Sequence, residues 1–126
     1  MSKSATTIAV ENALICTLPF LKKEVPIVVD GKRRYCDLAG EYEGFTYGIE
    51  VKVYSGDFET GCGLNQENFD FGYVAVPTEL LATAIGKLYL KGFHKTGVLE
   101  YRRTDGKIVH RKEAEYNGFE EGDEYE

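Results

Sequence analysis

Residues 49–53, Ile-Glu-Val-Lys-Val, alternate apolar and charged side chains with a period of two. That pattern suits a strand buried on one face: Ile49, Val51 and Val53 turn to a core, while Glu50 and Lys52 share the other side. Asp37 lies in Arg34-Tyr35-Cys36-Asp37-Leu38, which is also strand-like, and residues 39–48 between the two hold Gly40, Gly44 and Gly48. Glycines of this kind turn a chain back, and a hairpin over that loop sets Asp37 beside Glu50. Two carboxylates and an ammonium then face one point, a donor set suited to a divalent cation next to a phosphodiester. Taken alone, the three residues also read as an exposed ion pair at a sheet surface, worth roughly 0–1 kcal/mol.

The rest of the chain supplies the elements around that hairpin. Residues 6–18 read as a helix with Ile8, Ile15 and Leu18 on one stripe, ended by Pro19. Glu11 falls in the same stripe, where an unpaired charge is costly. It either reaches water at the stripe's edge or points at something that needs a carboxylate. Residues 25–29 form a strand whose Pro26 indicates a sheet edge. Asp30-Gly31 is a turn, and residues 32–39 and 45–54 are the two strands that carry Asp37 and Glu50. A glycine-rich polar loop follows, then a mostly apolar strand over 69–76, which implies burial on both faces. A helix over 78–90 comes next, with Leu81, Ile85 and Leu88 as its packing stripe, Thr78 as its cap and Gly92 after its end. Two final strands, 97–103 and 107–111, flank the turn Thr104-Asp105-Gly106. The order indicates an α/β layer fold with a mixed sheet.

With 126 residues the chain is one domain, and no apolar run approaches the length of a membrane span or a secretory signal. Three cysteines at no metal or disulfide spacing point to reduced thiols and a cytoplasmic setting, with Cys16 and Cys36 as small core residues and Cys62 among glycines. The net charge of −6 is uneven: residues 113–126 hold seven acids and no base, while residues 1–112 hold fifteen bases against fourteen acids. The body is therefore near neutral, with basic clusters at Lys32-Arg33-Arg34, Arg102-Arg103 and Arg111-Lys112, followed by an acidic tail expected to be disordered or loosely docked. His94 and His110 have no Cys or His at ligand spacing, which excludes an obvious zinc site.

Asp37 followed by Glu50-Val51-Lys52, on the second and third strands after an N-terminal helix, resembles the PD-(D/E)XK nuclease superfamily. Ser55-Gly56-Asp57-Phe58, Gly63-Leu64-Asn65 and Tyr73-Val74-Ala75-Val76-Pro77 extend the resemblance to small MmcB-like DNA-repair members, bacterial or bacteriophage. It spans residues 8–112. The family's proline before the aspartate is replaced by Cys36. The resemblance implies a restriction-endonuclease-like αβββαβ core, with a mixed central sheet flanked by helices. It also implies a nuclease-like domain over 1–112 and a separate tail over 113–126.

The same resemblance implies a Mg²⁺- or Mn²⁺-dependent endonuclease, a hydrolase acting on DNA in repair or phage DNA processing. Asp37, Glu50 and the Val51 carbonyl would hold the metal. Lys52 would orient the attacking water or neutralise charge on phosphorus, and Glu11 would place the metal or its waters. Gln66, Asn65, Ser55 and Arg34 are the substrate-binding candidates. Asp57 reads first as a cap or turn residue, and Tyr47 and Tyr54 as packing residues before base-stacking ones. The glycines of residues 61–63 lack phosphate-loop spacing and would serve as a flap. Small nucleases of this type often pair up, so a homodimer is among the implied partners. The alternative is a catalytically silent nuclease fold that binds DNA or a host protein, or one whose acidic tail covers the DNA groove.

Overall fold

The computed structural model describes residues 3–29, 31–58 and 68–118. Helix α1 (Ala5–Thr17) begins at Ser4, whose hydroxyl accepts from the Thr7 amide at 3.1 Å. Strands β1 (Lys22–Val29), β2 (Lys32–Tyr42) and β3 (Phe45–Val51) follow, then a 3₁₀ turn at Ser55–Phe58. Strand β4 (Phe71–Pro77) leads through a second 3₁₀ turn (Thr78–Leu80) into α2 (Leu81–Lys91). Strands β5 (Gly97–Arg102) and β6 (Lys107–Lys112) complete the sheet.

The six strands lie side by side in chain order. The β3–β4 and β4–β5 pairs are parallel and the other three pairs antiparallel, so the sheet is mixed, as the sequence indicates. β1 is an edge strand and carries Pro26, as expected. β4 lies at the centre and is buried on both sides. Helix α1 sets Val10 and Leu14 on Leu38, Ile49, Val51, Ala75 and Leu99 of one face. On the other face, Leu80, Ala84 and Leu88 pack on Val74, Val76 and Val98.

Both helices differ in detail from the stripes read off the sequence. In α1 the buried positions are Val10, Glu11 and Leu14, and Ile8 is exposed. The helix is apolar nearly all round, so periodicity does not choose its inner face. Cys16, expected in the core, is exposed for the same reason, whereas Cys36 is buried. In α2 the buried pair is Ala84 and Leu88, and Ile85 faces solvent. Gly92 ends α2 in the left-handed region at φ 76°, as its position implies. Thr78 makes no cap; its hydroxyl donates instead to Glu100 at 2.6 Å.

The β2–β3 hairpin is tighter than its glycines indicate. Glu43 and Gly44 alone form the turn, at φ 52° and 86°, with Tyr42 paired to Phe45. Gly40 and Gly48 are strand residues kept small by packing. A Cβ on Gly40 would fall 2.4 Å from the Phe20 carbonyl oxygen, and one on Gly48 would meet the Phe69 ring at 2.1 Å. Beyond β6, residues 113–118 run back along the sheet. The Glu115 amide donates to Lys95 O and the Asn117 amide to Asp70 O, both at 2.8 Å, while Tyr116 packs on Phe45 and Phe71. No helix among the described residues is long and apolar enough to cross a membrane.

Candidate functional site

The β2–β3 ladder ends at Leu38 opposite Ile49, and Asp37 and Glu50 are the residues just beyond that last rung. There Asp37 turns its carboxylate into the ladder, and Oδ2 accepts from the Val51 amide at 2.8 Å. That bond holds Asp37 one residue from Glu50, close enough for each carboxyl group to feel the other's charge. Burial raises the Glu50 pKa and the Asp37 charge adds to it. The Lys52 ammonium pulls the other way, and the outcome is a pKa of about 8. Two carboxyl groups that feel each other's charge favour a shared proton or cation. Lys52 stays beside them because its amide donates to Ala75 O at 3.0 Å, which ties the end of β3 to β4.

Glu11 reaches the cluster from the α1 side. It is 1% exposed, and the Lys3 ammonium bonds to its Oε2. The same ammonium lies 2.5 Å from Glu24 Oε1 and 3.9 Å from Asp37 Oδ1. Burial alone would lower the Lys3 pKa, but its bonds to Glu11 and Glu24 outweigh that and raise it. Glu24 sits between Lys23, opposite Leu38, and Val25, opposite Cys36, and therefore falls at the level of Asp37. Its φ of 55° is left-handed, a conformation costing an L residue about 1–2 kcal/mol. Neither Lys3 nor Glu24 was singled out from the sequence. Lys3 merely precedes a helix, and a positive φ at a glutamate leaves no sequence signal.

Cys36, directly before Asp37, is fully buried. Burial, followed by the Glu50 charge, pushes its thiol up to about 12, and Sγ donates to Leu38 O at 3.1 Å. A thiol held in that state packs rather than reacts. Of the substrate-binding candidates, Arg34 is exposed on β2 three positions before Asp37, and Ser55 is exposed at the start of the 3₁₀ turn. Gln66 and Asn65, the proposed flap and Cys62 lie outside the described residues. Tyr47 stacks on Phe71 with ring centroids 5.3 Å apart, a packing role. Among the described residues no group of three or more His, Cys, Asp or Glu side chains stands at metal-ligand spacing. Asp37 and Glu50 are two carboxylate donors, and a hard divalent ion held there would need further oxygens from backbone or water.

Arginines of the other basic clusters form ion pairs. Arg102 pairs with Asp105 at 2.6 Å, Arg103 with Glu79 at 2.8 Å and Arg111 with Glu100 at 2.7 Å. Lys32, Arg33 and Arg34 are exposed on the β1–β2 hairpin, whose β2 strand carries Asp37.

This architecture is a mixed α/β sheet flanked by helices, consistent with a restriction-endonuclease-like fold. Three solved structures share it. A protein of unknown function from Silicibacter pomeroyi matches with a TM-score of 0.62 and 18% identity, over 96% of this chain and 78% of that one. An XisH family protein from Nostoc punctiforme matches at 0.59 and 20%, over 82% and 94%. An fdxN element excision controlling factor from Anabaena variabilis matches at 0.58 and 19%, over 81% and 93%. No protein-family model matches the chain, and no curated protein matches it.

Proposed function

We propose that this chain is a divalent-cation-dependent nuclease that hydrolyses phosphodiester bonds in DNA. The observation that carries the reading is that Asp37 accepts from the Val51 amide, next to Glu50, so that the charges of Asp37 and Lys52 both act on the Glu50 carboxyl. Like-charged groups held together at a cost to folding mark a functional site more often than a structural one. The neighbours contribute the fold alone, and a repair or phage setting, the choice of Mg²⁺ and a homodimer rest on the sequence resemblance.

In this reading Asp37 and Glu50 hold the cation, with Asp37 fixed by the Val51 amide. When bound, the cation supplies a Lewis acid for a phosphoryl oxygen and lowers the pKa of a water. Lys52 neutralises charge developing on the phosphate. The exposed Lys32, Arg33 and Arg34 offer phosphate contacts along the hairpin, positioning the duplex without reading its sequence.

Purified protein with Mn²⁺ or Mg²⁺ should convert supercoiled plasmid to nicked or linear forms. Glu50→Ala should reduce this to background, and Lys52→Ala should slow it by about a hundredfold or more. Cleavage by both variants at the parent's rate would falsify the assignment. Tight DNA binding without cleavage, whatever the metal or DNA structure, would favour a silent binding module on the same fold.

A further inference from the structure

Lys3 is the feature of the cluster that the nuclease reading leaves unused. Its ammonium collects carboxylates from three elements: Glu11 of α1, Glu24 of β1 and Asp37 of β2. Glu50, whose carboxyl feels the Asp37 charge, is the next carboxyl along. Glu11 is almost wholly buried, so its charge needs a partner. Glu24 holds a left-handed backbone where its side chain meets the ammonium. The Lys3 side chain remains 30% exposed, which leaves it a path to solvent.

We infer that Lys3 is a tethered internal cation that occupies the carboxylate cradle beside Asp37 and competes with divalent ions for the site. The inference rests on the nuclease reading, in which Asp37 is a metal ligand. A positive charge 3.9 Å from Asp37 Oδ1 opposes a dication drawn to the same carboxylate. As the ion arrives, Lys3 gives up Asp37 and swings outward, and the freed carboxylates attract the ion more strongly. Lys3 thereby sets the metal concentration at which the site fills. It is a positioning residue and has no contact with the reacting atoms.

Two measurements test this. The first is Mn²⁺ affinity, by calorimetry and electron paramagnetic resonance, for the parent, Lys3→Met and Lys91→Met. Lys91 ends α2 on the opposite face of the sheet and controls for loss of one positive charge. Lys3→Met should bind Mn²⁺ about tenfold more tightly or better, and Lys91→Met as the parent does. The second uses the parent alone, in case Lys3→Met does not fold. Acetylation of Lys3 by an amine-reactive ester, followed by mass spectrometry against Lys91, should accelerate several-fold when Mn²⁺ is added.

Parent binding with no gain in Lys3→Met, or with Lys3 labelling unmoved by Mn²⁺, overturns the competition and leaves the nuclease reading standing. Absence of Mn²⁺ binding to both the parent and Lys3→Met overturns the two together.

Discussion

Two glutamates on central strands of this sheet, Glu50 and Glu100, meet opposite surroundings. Glu100 is 2% exposed, but its carboxylate accepts from Thr78 Oγ1 at 2.6 Å and from Arg111 Nε at 2.7 Å. The Thr78 hydroxyl, then Arg111, hold its pKa below the usual carboxylate value against the effect of burial. Glu50 is half-buried, yet burial and the neighbouring Asp37 charge act together on it, and its pKa is about 8. One glutamate is completed by the protein. The other is left needing a proton or a cation. Burial of a carboxylate therefore says little by itself; what the fold offers as counter-charge separates a structural group from a poised one.

The pH dependence of folding gives the two glutamates opposite signs. The folded protein keeps a proton on Glu50 up to about pH 8, while the unfolded chain releases it near 4.5. Stability from this group is full below 4.5 and declines as pH rises toward 8, by at most about 1.4 kcal/mol per pH unit. Glu50→Gln removes that loss, so in EDTA at pH 9 it should stabilise the protein by about 3 kcal/mol in urea unfolding. A destabilised Glu50→Gln would mean that the protein already satisfies this carboxylate.

Glu100 behaves in the opposite way. Its contribution is present at neutral pH and is lost in acid, as pH falls through its depressed value. Glu100→Gln should cost about 2 kcal/mol at pH 7 and less at pH 3, read by the same unfolding curves. A smaller effect sharpens the contrast. Thr78→Val keeps the shape and removes one donor to Glu100, so it should cost about 1 kcal/mol. It should leave Mn²⁺ affinity untouched; a changed affinity would show that the two glutamates are coupled across the sheet.

The parts of this arrangement legible in the sequence are those encoded by local period. Alternation in residues 49–53 puts Glu50 and Lys52 on one side, and a hairpin between two strands brings Asp37 and Glu50 just past the last rung of the ladder. The apolar run of β4 likewise signals burial on both faces, and Pro26 signals the edge position of β1. Long-range packing was not. Gly40 and Gly48 resemble loop residues until Phe20 and Phe69 are seen against them. Helix α1 hides its inner face because apolar side chains surround it. Glu11 was flagged as a charge in an apolar stretch, but its partner Lys3 and the strained Glu24 depend on tertiary placement that no short pattern carries.

The sheet also bears on how the chain assembles. Every strand hydrogen-bonds to the one before and after it in the sequence, so each ladder closes over a modest loop and none waits for a distant segment. Remote parts are joined by the packing of α1 on the sheet and by side-chain bonds such as Arg103 Nη1 donating to Thr6 Oγ1 at 3.2 Å. Such a chain can zip progressively from its β1–β2 end. The scaffold around Asp37 would then be in place before the far edge of the sheet exists.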